Sequence, residues 1–128
     1  MKRMTILAAV FLCFFGLTES TAQNNQSSRN MEELNLTQEW DKIFPKSDKV
    51  NHSKVTFVNR YGITLAADLY VPKTTAEEKL SAIAVSGPFG AVKEQSSGLY
   101  AQTLAERGFL TIAFDPSFTG ESGGQPRS

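Results

Sequence analysis

The stretch SAIAVSGPFGAVKEQSSGLYAQTLAERGFLTIAFDPSFTGESGG, residues 81–124, decides the fold of this 128-residue chain. Its two continuous apolar runs, 81–85 and 109–114, are typical of parallel strands covered on both faces. The residues between the runs predict a helix, so the stretch as a whole predicts one right-handed strand–helix–strand crossover. A Gly-rich turn follows each strand, at the edge where open α/β sheets bind their ligands.

The predicted helix of the crossover has recognisable ends. Ser96 or Ser97 is suited to cap its first turn, and Gly108 is placed to end it in the left-handed conformation. We therefore expect an amphipathic helix that packs one side against the sheet. Its sheet-facing stripe would contain Tyr100, Ala101, Leu104 and Ala105.

Residues 55–71, upstream of the crossover, predict an antiparallel hairpin at the edge of the sheet. Val55 and Phe57 alternate with polar residues, NRYG at 59–62 supplies a turn, and Pro72 ends the second strand. Alternation gives this second strand an apolar and a polar face, and we expect the polar face to be the wetter one. The apolar face would hold Ile63, Leu65, Ala67, Leu69 and Val71, and the polar face Thr64, Asp68 and Tyr70.

Residues 1–22 are predicted to be a secretory signal peptide that is cleaved after Ala22. A basic pair at 2–3 precedes an apolar run at 6–17, and small residues come before the cleavage position. The run is shorter than the roughly 20 apolar residues of a membrane span, although a retained anchor is the alternative. The single cysteine, Cys13, lies in this segment. We therefore expect a secreted or periplasmic chain without a disulfide or a stable membrane span after cleavage.

Residues 23–48 are predicted to be a linker followed by a short packing arm. The polar run 23–30 has nothing to bury. A short helix from Thr37 to Ile43, stopped by Pro45, is expected to cover a sheet edge in preference to acting as a recognition helix. The 13 basic and 13 acidic residues of the chain balance, so its charge does not favour a nucleic-acid partner.

Several segments together carry a resemblance to a known family. They are the hairpin, SGPFGAVKEQ at 86–95, ERGF at 106–109, and FDP at 114–116 running into TGESGG at 119–124. Their order and spacing resemble the amino-terminal part of an α/β-hydrolase, and most closely that of secreted, dienelactone-hydrolase-like bacterial enzymes. The resemblance covers about residues 49–126 and implies that residues 49–128 are an incomplete α/β-hydrolase domain. The implied sheet is truncated, with an antiparallel hairpin, one parallel crossover and the strand order first, second, fourth, third.

In α/β-hydrolases, the loop after the third strand supplies a backbone N–H of the oxyanion hole, which stabilises negative charge during acyl transfer. The resemblance assigns this donor to Phe89, because Pro88 has no N–H, and Gly90 would let a substrate approach the backbone closely. Gly87 and Pro88 stand where many members of the family have His-Gly. The alternative is a plain strand-to-helix turn, which uses Gly and Pro for its own geometry.

A catalytic triad is not predicted within this chain. GESGG at 120–124 matches the nucleophile motif, but Gly and Pro follow Ser122 where that motif requires a helix. The only histidine, His52, precedes the first predicted strand and is expected to face solvent. Asp115 is expected to serve as a turn and capping residue. No spacing of ligand residues in the sequence suggests a metal site.

The resemblance therefore implies the amino-terminal fragment of a secreted serine hydrolase. The complete enzyme would hydrolyse a small-molecule ester or related acyl substrate through an acyl-serine intermediate, with no cofactor, and the fragment itself would be inactive. Its third strand would be left as an apolar edge. The alternative is a small secreted binding module without catalysis, which would use the Phe89 loop as a contact surface.

Overall fold

The computed structural model describes residues 31–73 and 79–125, which contain four strands and one helix. In chain order these are β1 (Val50–Val58), β2 (Thr64–Pro72), β3 (Ala82–Ser86), α1 (Ser96–Ala105) and β4 (Leu110–Phe114). The predicted signal peptide and the linker after it lie outside the described residues. Within the described residues, no helix is long and apolar enough to cross a membrane.

The strands form one mixed sheet in the order β1-β2-β4-β3, which confirms the predicted order. The pairs β1–β2 and β2–β4 are antiparallel, and the pair β3–β4 is parallel. Nine residue pairs join β1 and β2 along their full length, so β1 begins upstream of its predicted start and includes His52. In the hairpin turn, Asn59 Oδ1 accepts a hydrogen bond from the Ile63 amide, and Gly62 adopts a φ of +81°. The predicted hairpin is thus present and longer than its alternation indicated.

β2 lies inside the sheet, and its polar face is buried. Thr64, Asp68 and Tyr70 have 0% exposed surface, so the expectation of a wetter face at a sheet edge is wrong. Other segments supply partners for two of these three residues: the Glu32 amide donates to Thr64 Oγ1 at 2.9 Å, and Lys42 Nζ lies 3.0 Å from Asp68 Oδ2. The Tyr70 hydroxyl has no hydrogen-bond partner among the described residues. Alternation marks two different faces, but it does not show which one is buried when polar groups have partners.

β3 forms one edge of the sheet and is exposed at alternate residues. Ala82 and Ala84 are exposed, so the expectation of a strand covered on both faces is wrong for β3. The reason is that, among the described residues, α1 covers only one face and no strand pairs with the outer edge of β3. We call the face of Leu69, Ala82, Ala84 and Ile112 the open face, and the face of Thr64, Asp68 and Tyr70 the covered face.

The start of α1 differs from the prediction, whereas its end agrees. Gln95 occupies the N-cap position and makes no side-chain capping bond, so neither Ser96 nor Ser97 caps the helix. Gly108 adopts a φ of +100°, and its amide donates to Ala105 O at 3.0 Å. The predicted left-handed end is therefore confirmed.

The buried side of α1 consists mainly of small residues. Tyr100 is 62% exposed and does not belong to the sheet-facing stripe, whereas Ala101 and Ala105 do. Gly98 is so closely surrounded that a Cβ there would lie 2.2 Å from Lys93 O. Small residues thus let α1 lie close to the sheet and to the loop before it. The buried residues of α1 are Ser97, Gly98, Ala101, Gln102 and Ala105, and Leu104 is half-buried.

The segment 31–48 contains no helix and packs on the covered face as an extended arm. Lys42 and Phe44 are buried and Trp40 is half-buried, whereas Ile43 is exposed. Inward-facing residues at every second position are typical of an extended chain, so the predicted helix ending at Ile43 is wrong. The arm bends at Ile43 and Phe44, and Trp40 Nε1 donates to Phe44 O at 2.8 Å across this bend. The arm covers a face of the sheet, not an edge.

Candidate functional site

The loop between β3 and α1 presents unbonded backbone amides at the carboxyl end of a parallel strand. The Ala91 amide donates to Pro88 O at 3.0 Å and Gly90 has a φ of +80°, as in a type II turn. Among the described residues, no acceptor bonds to the amide of Phe89 or of Gly90. The Phe89 side chain is fully exposed. Both amides are therefore available to a bound group, which is what an oxyanion hole needs of its donors.

A fully buried ion pair anchors this loop to the end of β4. Lys93 Nζ lies 2.8 Å from Asp115 Oδ2, and the Lys93 amide donates to Asp115 Oδ1 at 2.7 Å. The Glu121 amide also donates to Asp115 Oδ2, at 3.1 Å. As expected of a turn and capping residue, Asp115 accepts hydrogen bonds from backbone amides. The expectation does not include the ion pair with Lys93.

The charge of Lys93 is stabilised by its carboxylate neighbours. Burial alone would lower the pKa of Lys93, but its hydrogen bonds to Asp115, Glu121 and Glu94 raise that pKa above its usual range. Lys93 therefore stays protonated at physiological pH. An ammonium group that keeps its proton can neutralise carboxylates, but it cannot serve as a general base.

The turn at 119–124 joins the same network through Glu121. Glu121 Oε2 lies 2.7 Å from Lys93 Nζ and 2.6 Å from Lys54 Nζ. Burial alone would raise the pKa of Glu121, but hydrogen bonds from Lys54, Lys93 and the Thr37 amide lower it to about 2. The carboxylate of Glu121 thus holds the turn against β1 and against the loop after β3.

Ser122, the serine of the nucleophile-like motif, is bonded to backbone groups on both sides. Its hydroxyl donates to Asp115 O at 2.8 Å and accepts from the Ala66 amide at 2.9 Å. The hydroxyl therefore holds the turn to β2 and β4. This geometry agrees with the prediction that Ser122 is not the nucleophile.

His52 belongs to a buried network, so the expectation that it faces solvent is wrong. Its Nε2 lies 2.8 Å from Asp68 Oδ1, and its side chain is only 12% exposed. The rings of Trp40 and Tyr70 lie 5.1 and 5.0 Å from the imidazole. Because the Ser122 hydroxyl bonds to backbone groups, the His52–Asp68 pair does not form a Ser-His-Asp relay within the described residues.

Three carboxylates from distant parts of the chain meet near this network. Oxygens of Asp41, Glu94 and Glu121 lie within 4.8 Å of one another. Lys54 Nζ lies 2.7 Å from Asp41 and Lys93 Nζ lies 2.5 Å from Glu94, and both ammonium groups contact Glu121. The ammonium groups neutralise the oxygens that a metal ion would need, so the cluster is an ion-pair network.

Sequence reasoning missed the buried lysines, although one signal was available. A turn at 59–62 places Lys54 opposite Asp68 in the hairpin and His52 two residues further along the same face. Hairpin register therefore predicts a charged cluster on this face. No local pattern of this kind connects Lys93 with Asp115, which lie 22 residues apart.

No protein-family model matches this chain. The chain is similar to the uncharacterized protein PA2218 of Pseudomonas aeruginosa, with 63% identity over 129 residues that cover 98% of this chain and 34% of that protein. It is also similar to the uncharacterized protein YcjY of Escherichia coli K12, with 49% identity over 79 residues that cover 59% of this chain and 26% of that protein. The chain thus spans about a third or less of the length of the curated relatives it matches.

A solved structure supports the same architecture. The crystal structure of hypothetical protein PA2218 from Pseudomonas aeruginosa matches with a TM-score of 0.72 and 76% identity, over 74% of this chain and 30% of that chain. The chain is therefore a mixed α/β protein, and the relatives it matches are longer than the chain. The names of these relatives state no activity, so a function has to be argued from the site itself.

Proposed function

We propose that this chain is the amino-terminal part of a secreted α/β-hydrolase, similar to the dienelactone-hydrolase-like bacterial enzymes. In the complete protein, a serine would attack the carbonyl of a small-molecule ester or related acyl substrate, with no cofactor. The observation that carries the proposal is the loop after β3, where the amides of Phe89 and Gly90 have no acceptor among the described residues. The strand order β1-β2-β4-β3 adds support.

The chemical role of the loop is to stabilise a developing oxyanion. When the serine attacks, negative charge builds up on the carbonyl oxygen, and a preorganised backbone amide stabilises it. The Phe89 amide would donate to this oxygen, and Gly90, which has no Cβ, leaves room for it. The nucleophile, the base and the orienting acid would come from the rest of the complete protein, so residues 1–128 by themselves are expected to be inactive.

The Phe89 amide can be tested separately from the Phe89 side chain. Position 89 is the second residue of a type II turn, where proline is favoured, so Phe89→Pro removes the donor and keeps the turn. Phe89→Ala keeps the donor and removes only the exposed ring. In p-nitrophenyl ester hydrolysis by the complete protein, we expect Phe89→Pro to lower kcat by about 100-fold to 1000-fold and Phe89→Ala by less than about threefold.

Two outcomes would contradict different parts of this proposal. Equal rates for Phe89→Pro and the unsubstituted protein would show that the amide is not an oxyanion donor. Failure of the unsubstituted complete protein to hydrolyse any of a panel of acyl esters would remove the hydrolase assignment as a whole.

Secretion is a separate part of the proposal and rests on residues 1–22. We expect the mature chain to be recovered from the periplasm or the medium with Gln23 as its first residue, measured by intact mass and amino-terminal sequencing. Ala22→Phe should block this cleavage because a small residue is required there. A membrane-associated chain that still begins at Met1 would favour the retained anchor instead.

The fully exposed Phe89 ring favours a second candidate function, a small secreted binding module. A backbone oxyanion donor does not need an exposed aromatic side chain, whereas a contact surface does. The same two variants discriminate between the functions. A binding module would lose its partner with Phe89→Ala, and its isolated mature chain would unfold cooperatively as a monomer.

A further inference from the structure

The Lys93–Asp115 pair connects the two loops that follow the parallel strands. Asp115 Oδ1 accepts from the Lys93 amide, and Asp115 Oδ2 contacts both Lys93 Nζ and the Glu121 amide. One carboxylate thus holds the backbone after β3, a side chain of the same loop and the backbone of the turn after β4. We propose that the Lys93–Asp115 pair is a positioning device that fixes the Phe89–Gly90 turn relative to the end of β4.

The loop needs such a device because it makes few bonds of its own. Between β3 and α1, its internal backbone hydrogen bonds run from Ala91 to Pro88 and from Gln95 to Val92. Residues 88–90 are exposed, and their position therefore depends on where the loop is attached. The attachment at Lys93 comes three residues after Gly90, before α1 begins.

Close packing on both sides prevents the pair from shifting. A Cβ on Gly120 would lie 2.3 Å from Asp115 Oδ2, and a Cβ on Gly98 would lie 2.2 Å from Lys93 O. The turn after β4 and helix α1 therefore approach the pair as closely as glycine allows. A small displacement of either partner would move the loop with it.

The Lys93–Asp115 pair acts through the loop and does not touch a substrate. Both side chains have 0% exposed surface, and Lys93 Nζ is surrounded by the carboxylates of Asp115, Glu94 and Glu121. The effect of the pair on catalysis rests on the proposed hydrolase function, because only in a hydrolase does the position of the Phe89 amide affect the rate of ester hydrolysis. Its effect on the loop does not depend on that function.

The test compares two buried Lys–Asp pairs on the same side of the sheet. Lys93→Met removes the ammonium and keeps the length of the side chain. Lys42→Met is the matched control, because Lys42 Nζ is equally buried, lies 3.0 Å from the fully buried Asp68, and belongs to the arm. Asp115→Asn is the second variant. Its side-chain oxygen can still accept from the Lys93 amide, but its NH₂ group faces two other donors, Lys93 Nζ and the Glu121 amide.

Backbone motion is measured first, on the 128-residue chain. We expect Lys93→Met and Asp115→Asn to lower the ¹⁵N order parameters of Phe89 and Gly90 and to speed hydrogen exchange of the Ala91 amide by about tenfold. Lys42→Met also breaks a fully buried pair and should destabilise the chain to a similar extent as Lys93→Met, but it should leave these three amides unchanged. Unfolding of the chain by both Lys93→Met and Asp115→Asn would overturn the proposal, since the pair would then hold the whole fold. Disorder of the turn in the unsubstituted chain would also overturn it.

Ester hydrolysis by the complete protein is measured second. We expect Lys93→Met to lower kcat by about tenfold to 100-fold with little change in KM, because a misplaced donor weakens the transition state more than the bound substrate. Equal kcat values for Lys93→Met and Lys42→Met would overturn the positioning role. If the unsubstituted protein hydrolyses nothing, the proposed function fails, and the order parameters still decide whether the pair fixes the loop.

Discussion

The burial of the two faces of the sheet is the reverse of what their polarity suggests: the polar face is the more deeply buried. Asp68 and Tyr70 are completely buried on the covered face, whereas Leu69 and Ile112 are only half-buried and Ala84 is exposed on the open face. The polar face tolerates burial because its charged groups have partners. The apolar face is only partly covered within the described residues: Leu65 and Ala67 are buried on it, but the part towards β3 is not. Ion pairing therefore lets the more polar face of this sheet be the more deeply buried one.

The partners on the covered face form one continuous network. Asp41 of the arm contacts both Lys42 and Lys54, and Lys42 in turn contacts Asp68. Lys54 continues the network to Glu121 in the turn after β4. The arm, the hairpin and the two loops after the parallel strands are therefore held together by charges. No equivalent network lies on the open face in the part of the chain that the structure describes.

The largest expected effect comes from breaking a pair on the covered face. Lys42→Met takes the ammonium away from the buried carboxylate of Asp68 and leaves it only the His52 imidazole, which should cost about 3–5 kcal/mol of unfolding free energy. Leu69→Ala, on the open face of the same strand, removes a half-buried side chain and should cost about 1 kcal/mol. Urea unfolding measures both. A larger loss for Leu69→Ala would show that the open face carries more of the stability.

A second, smaller effect should follow from crowding the covered face. Gly98→Ala places a methyl group 2.2 Å from Lys93 O and 3.3 Å from Tyr70 Oη, so the helix or the loop has to move. We expect a loss of about 2–3 kcal/mol. Thr103→Ala in the same helix, which removes only an exposed hydroxyl bonded to Leu99 O, should change stability by less than about 0.5 kcal/mol. Equal stability of both variants would contradict the close approach of α1.

Acid should weaken the covered face and leave the open face unaffected. Burial alone would raise the pKa of Asp41, but hydrogen bonds from Lys42 and Lys54 lower it to about 2, as for Glu121. Both pKa values lie below the usual 3.8 of Asp41 and 4.5 of Glu121. The ionised carboxylates therefore stabilise the folded chain, and their contribution is fully present above these usual values. That contribution is lost as the pH falls through about 2. Screening limits it to about 1 kcal/mol per pair.

The measurement is the urea midpoint as a function of pH between 7 and 2. Glu121→Gln should flatten the acid limb of this curve, because it removes a carboxylate whose pKa is lowered in the folded chain. Ile112→Ala, on the open face, should lower the curve at every pH without changing its slope. An acid limb that is unchanged in Glu121→Gln would mean that other groups cause the pH dependence.

The hairpin and the crossover could be predicted from the sequence because their signals are local, whereas the strand order is implied by the family resemblance. Continuous apolar runs, the turn at 59–62 and the glycine at 108 each act within a few residues of themselves. The burial of β2 could not be predicted in the same way. Alternation distinguishes its two faces, but the partner of Asp68 is Lys42 in an arm that the sequence pattern assigns to a helix.

In the candidate site, too, the features with local sequence signals could be predicted and those that depend on distant residues could not. The turn at Phe89 and Gly90 follows from Gly and Pro after a strand, and the structure has such a turn. The Lys93–Asp115 pair that anchors it depends on how two strand ends meet in space, which no periodic pattern encodes. His52 shows the same limit, because its burial depends on Trp40 and Asp68 from two different segments.

The smallest expected effect is on the open face itself and gives the sharpest contrast. Ala84→Lys puts a charge on an exposed position of β3, where the side-chain stem can lie along Leu69 and Ile112. We expect a stability change within about 0.5 kcal/mol, and weaker self-association, because a lysine on an edge strand opposes pairing between sheets. Ala113→Lys makes the same substitution at a fully buried position of the neighbouring strand and should prevent folding. Urea unfolding and sedimentation velocity measure the two effects. The contrary outcome is that Ala84→Lys costs more than about 2 kcal/mol and dissociates a stable oligomer. In that case another copy of the chain would cover the open face in solution. The two faces would then differ only in what covers them: segments of the same chain on one face, and a second copy on the other.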